Sequence, residues 1–132
     1  MAQLKISDLS VGDWVQDKEG STTAKVLGIE QWADDYYLNV RVNGVDVGNV
    51  LAEGAFPIPI TPEILEKNGF EVYDDAARLE LDRPHSLWLF KEKEGWDLHL
   101  PSGEQHINLR IEHIHQLQHV LRLAGVEKEI EL

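Results

Sequence analysis

Two clusters in this chain carry residue types that do chemistry. The first is Asp97, His99 and His106. If Pro101–Glu104 is a four-residue hairpin loop, His99 stands opposite His106 and Asp97 opposite Asn108, all on one polar face. Directly opposed side chains of an antiparallel pair lie about 5 Å apart at Cβ. Two imidazoles and a carboxylate at that spacing can hold Zn²⁺ and leave one coordination position open. That is the arrangement of a metal-dependent enzyme, and His85 offers a fourth ligand from the preceding loop. The competing reading is that polar residues fill the solvent side of a one-sided sheet.

The second cluster is His113, His115 and His119. His115 and His119 are four apart, a spacing that places two metal ligands on one helix face. The residues between them, Gln116-Leu117-Gln118, supply no carboxylate base, and Arg122 adds positive charge nearby. If the helix already includes His113, its side chain points about 160° away from His115. The three histidines are therefore expected to form a solvated polar face that gathers no ion. Zinc at the first cluster is the only cofactor considered; otherwise none is expected.

Large aromatics come next. Trp14, Trp88 and Trp96 lie in strand-like runs, where core packing is the expectation. Trp32 and Tyr36 differ, because Gln31-Trp-Ala-Asp-Asp-Tyr-Tyr37 reads as a polar loop with two acids. They are the candidate partner-binding residues, as anchors for a protein or a sugar. Alternatively, Trp32 folds over the open end of a small barrel. No Gly-rich phosphate loop, Gly-x-Ser-x-Gly elbow or cysteine nucleophile is found.

The elements that must position these residues divide into two groups. Leu9–Val15, Thr22–Ile29, Tyr36–Val42 and Val45–Leu51 read as short strands, with a hairpin turn at Asn43-Gly44. Phe56-Pro-Ile-Pro-Ile60 follows as an edge strand or linker, since its prolines lack an N–H donor. The Leu-x-x-Gly-Asp-x-Val opening resembles the first strand of SH3-like barrels, so 1–58 is expected to form a small SH3-like β subdomain. Residues 59–132 are expected to form an α+β subdomain. It starts with a helix capped by Thr61 and Pro62 and closed at Asn68-Gly69. Strands near Arg78–Leu81, Ser86–Phe90, Trp96–Leu100 and Ile107–Ile111 make a four-stranded antiparallel meander. A terminal helix then packs on it through Ile114, Leu117, Val120, Leu121 and Ala124, and a short acidic tail ends the chain. The expected class is α+β.

Three segments together carry a family resemblance: Gly12-Asp-Trp-Val15, Thr61-Pro-Glu-Ile-Leu-Glu-Lys-Asn-Gly-Phe70 and His115-Gln-Leu-Gln118. The chain resembles a family of short uncharacterised proteins of gut Bacteroidales and their phages and mobile elements. The resemblance implies an architecture and an origin in a phage or mobile element. It implies no catalytic residue, substrate or cofactor.

Charge narrows the partners. The 132 residues hold 24 acids against 12 Lys and Arg, a formal net charge of −12. Direct binding to nucleic acid needs clustered cations, which are missing, and an anionic membrane surface would repel the chain. No apolar run approaches a membrane span of about 20 residues. The first residues lack the basic and apolar regions of a secretory signal, so a cytoplasmic location is expected. The favoured function is a non-enzymatic soluble protein-interaction module. The alternatives are the metal-dependent enzyme and an acidic mimic of nucleic acid.

Overall fold

The computed structural model describes residues 6–81, 86–102, 105–126 and 128–132. They form two compact units, Met1–Ile58 and Pro59–Leu132.

The first unit is a four-stranded antiparallel sheet in sequential order: β1 (Trp14–Gln16), β2 (Thr23–Trp32), β3 (Asp35–Val42) and β4 (Val45–Leu51). The Asn43-Gly44 turn forms, with both residues at positive φ and Val42 paired to Val45. This is the geometry of a two-residue hairpin whose twist matches its strands. Leu9, Val15, Ala24, Val26, Leu38, Val40 and Ala55 make the core.

The expected SH3-like barrel is not there. Neither sheet closes, and the protein is mostly β, not α+β, with nine strands and two α-helices among the described residues. Closure of the first sheet fails for a local reason. β1 is only three residues long, and the segment that would be a fifth strand makes a single isolated bridge, Gln16 to Phe56. That bridge exchanges both main-chain hydrogen bonds, Gln16 N–H to Phe56 O at 3.0 Å and Phe56 N–H to Gln16 O at 2.9 Å, and it is not extended into a ladder.

The second unit begins with α1 (Pro62–Lys67). Thr61 Oγ1 accepts the Ile64 amide at 3.3 Å, and Phe70 N–H donates to Leu65 O at 3.0 Å across Gly69, which has φ 88°. That last pair is the glycine-terminated helix end in which Phe70 folds back on the helix. The expected succession of helix and four-stranded meander also needs correction. The short β5 (Glu71–Val72) follows α1 directly, and the sheet has five strands. They run in order from β5 through β6 (Ala76–Glu80), β7 (Ser86–Lys91) and β8 (Trp96–Ser102) to β9 (Gln105–Ile111).

Alternation decides the two faces of this sheet. Ala77, Leu79, Leu87, Leu89, Trp96, Leu98, Leu100 and Ile111 are buried, together with Ile114, Leu117, Val120 and Leu121 of α2 (Ile114–Leu123). The Trp96 indole N–H donates to Ile60 O at 3.3 Å. The acidic tail is partly structural. Ile130 is buried, and Asn68 makes a two-way amide pair with Glu131: Nδ2 to Glu131 O and Glu131 N–H to Oδ1, each 2.7 Å. Among the described residues no helix is long and apolar enough to cross a membrane.

Candidate functional site

The other face of the second sheet carries the side chains that alternate with this core: Arg78 and Glu80 from β6, Ser86, Trp88 and Phe90 from β7, Asp97 and His99 from β8. Four rings run across it. Tyr73 lies 6.1 Å from Trp88 (centroids, planes 21° apart), Trp88 lies 5.7 Å from Phe90 (7°), and Phe90 meets His99 edge-on at 5.0 Å. Tyr73 is 50% exposed and Phe90 39%. Aromatic side chains of this size are normally drawn into cores, so a row left half in solvent is unusual for a face with no other role.

Charged groups frame the rings. The Arg78 guanidinium sits over Trp88, 6.0 Å from the ring centroid, and its Nε donates to Ser86 Oγ at 3.0 Å. Its other end faces Glu71 at 3.8 Å. The Tyr73 hydroxyl donates to the Glu71 carboxylate at 2.7 Å, and this bond raises the tyrosine pKa above its ordinary value. At the opposite side Arg110 Nε donates to Asp97 Oδ1 at 3.2 Å. That bond is the main reason why the Asp97 carboxyl is held below the usual aspartate range.

Trp88 was expected in the core, and it is the residue that sequence reasoning missed. Parity held the signal. In Ser86-Leu-Trp-Leu-Phe90 the two leucines share one face, so Trp88 and Phe90 must share the other with Ser86.

Of the expected metal ligands, Asp97 and His99 occupy the same outer face, and β9 pairs with β8 in a different register from the one expected. Ser102 pairs with Gln105, so only two positions separate the strands where a four-residue loop was expected. His99 therefore faces Asn108, Asp97 faces Arg110 and His106 faces Pro101. A slip of two residues preserves strand parity but moves His106 away from His99 along the strand. Asp97 already binds a guanidinium. The side chain of His106 and all of His85 lie outside the described residues. Among the described residues no group of three His, Asp or Glu is placed to hold a metal ion.

The terminal histidines stand closer than the helical wheel indicated. His113 and His115 rings are 5.8 Å apart and nearly parallel (12°), and His115 and His119 are 5.8 Å apart edge to face. His113 is the N-cap, with extended backbone (φ −128°, ψ 154°), so the 100° step does not apply to it. Nor is this a solvated face, because His115 and Gln118 are both buried. Burial pushes the His113 pKa down, against a smaller upward pull from Glu112.

Trp32 and Tyr36 are on strands rather than in a loop. Trp32 pairs with Asp35 and Gln31 with Tyr36. Trp32 meets Tyr37 edge-on at 6.2 Å and stays 62% exposed, so it covers no barrel end. The pairing places Trp32 and Tyr36 on opposite faces of the hairpin, and they make no joint site. Tyr36 borders a cleft of about 200 Å³ with Ile6, Asp34, Asp35, Leu51 and Glu53.

Comparison with protein-family models, curated proteins and solved structures gives no match to this chain. The functional reading therefore rests on the geometry alone, and the ring-bearing face is its strongest feature.

Proposed function

We propose that this protein is a non-enzymatic protein-interaction module that binds its partner on the outer face of the second sheet. The observation that carries this reading is the ring row Tyr73–Trp88–Phe90–His99, with Tyr73 and Phe90 exposed, on a sheet whose other face buries Leu79, Leu87, Leu89, Trp96, Leu98 and Leu100. Aromatic residues are the commonest anchors of protein interfaces, because they bury large area with little side-chain entropy lost. Trp88, Phe90 and His99 sit on strands, and anchors on strands hold their geometry better than anchors on loops. The flanking pairs Arg78–Glu71 and Arg110–Asp97 make a polar rim around an apolar centre. Action in the cytoplasm belongs to the same proposal.

The test is affinity capture with the unaltered chain, a Tyr73→Ala/Phe90→Ala double variant and Trp32→Ala. Loss of two anchors is expected to weaken retention of a bound protein at least tenfold, equivalent to about 1.4 kcal/mol. Trp32→Ala is expected to leave it unchanged. An identical set of retained proteins with the double variant would overturn the proposal.

A further inference from the structure

The charge around the ring row points to the chemistry of what docks there. We infer that the outer face of the second sheet takes an extended, basic peptide segment, with Lys or Arg side chains at alternate positions lying against Tyr73 and Phe90. This inference rests on the interaction-module reading and names its partner class.

Three observations converge. First, the ring row already accepts a cation from its own chain: Arg78 lies over Trp88 at 6.0 Å. An aromatic face attracts a cation through the ring quadrupole, and the two rings beside Trp88 are the exposed ones. Second, the surplus charge around the row is negative. Arg78 and Arg110 are each matched by a carboxylate, Glu71 and Asp97. Close to them in sequence are exposed Asp74, Asp75, Glu80, Glu92 and Glu94, against the bases Lys91 and Lys93. Third, the ring spacing of 5.7–6.1 Å is close to the repeat of alternate side chains in an extended strand, about 6.6–6.8 Å. Tyr73 and Phe90 stand on either side of Trp88, so in a segment with cations at alternate positions the two that reach them are four residues apart.

The same facts argue against other occupants. A nucleic-acid strand also stacks on aromatic rows, but it needs cations for its phosphates, and both arginines here are already paired. A second copy of this chain would bring another net charge of −12 against the same acids. A basic segment is drawn toward the face by that charge and held by the rings.

The probe is a labelled ten-residue peptide of alternating Lys and Ala, followed by fluorescence anisotropy against the full chain. Matched Gln-Ala and Glu-Ala peptides are the controls. The Lys peptide is expected to bind at least tenfold more tightly than the Gln peptide, with affinity falling as salt rises. Tyr73→Leu/Phe90→Leu, which keeps apolar bulk but removes the rings, is expected to weaken it at least fivefold. Both residues are exposed, and an unchanged melting temperature verifies that the variant is folded. Equal binding by the ring-free variant would show diffuse charge attraction and overturn the inference, as would no binding of the Lys peptide. If captured partners still depend on Tyr73 and Phe90 while the Lys peptide does not bind, the basic class fails and the interaction module stands.

Discussion

The two sheets solve the same problem with different side chains. The first buries mostly small and β-branched residues: Val15, Ala24, Val26, Val40 and Ala55 beside Leu9 and Leu38. Short side chains on an unclosed sheet cannot fill its concave side. An apolar hollow of about 140 Å³ remains, lined by Val15, Ala24, Leu38, Val40, Val47 and Val50, among others. The second sheet buries Leu79, Leu87, Leu89, Trp96, Leu98 and Leu100, each at most 7% exposed. Close packing of one face lets the other face carry its aromatic row on a stiff support. The contrast teaches where to expect tolerance to change and where to expect a defined binding geometry.

Breaking the packed side gives the largest effect. Leu98→Ala is expected to destabilise by about 2–5 kcal/mol, because the tight surroundings cannot collapse onto the vacancy. Chemical denaturation measures the loss, and amide exchange locates it. If the β2–β3 amides lose protection as much as those of β7–β8, the two units do not stand on separate cores.

A paired enlargement sharpens the comparison at smaller magnitude. Ala77→Val adds two methyls at a fully buried site in the second sheet and is expected to destabilise by about 1–3 kcal/mol. Ala24→Val adds the same atoms beside the hollow of the first sheet and is expected to change stability by less than about 1 kcal/mol in either direction. Similar melting temperatures for the two variants would show that the hollow gives no freedom to the first core.

The smallest effect is a pH dependence in the second unit. Burial holds the His113 pKa below its ordinary 6.5, so the unfolded chain takes up the proton more readily than the folded one. The stability this contributes is complete above pH 6.5 and is lost as the pH falls through that value toward the depressed folded pKa. Glu112 opposes the shift, and His115 is the titratable ring stacked on His113. Urea midpoints at pH 7.5 and 5.5 are expected to differ less in His113→Asn than in the unaltered chain; an unchanged difference would assign the slope to other groups.

What the sequence made legible was local. The Asn43-Gly44 turn, the Thr61-Pro62 helix start and the Gly69 and Gly125 helix ends depend on neighbours a few residues away. Val126 N–H donating to Leu121 O at 2.9 Å repeats at α2 what Phe70 does at α1. Barrel closure was not legible, because it needs distant segments to pair, and here Gln16 and Phe56 form a single isolated bridge. Parity places Asp97 and His99 on one face, as expected. The register of β8 with β9 depended on the loop length, and a loop of two fewer residues put Asn108 in place of His106 opposite His99. Trp88 escaped because hydrophobicity was weighed above alternation. The histidine row escaped because a helical wheel was extended one residue beyond the helix, to a cap with strand-like dihedrals.

The pairing of Asn68 with Glu131 has a consequence for timing. The first core uses nothing beyond Ala55, so a growing chain can complete it early in synthesis. The second unit needs Ile130 and the Glu131 amide to close around Asn68, so its first helix waits for a segment 63 residues further along the chain. Nascent chains stopped before residue 130 are expected to resist protease over the first sheet and to be cut in the second.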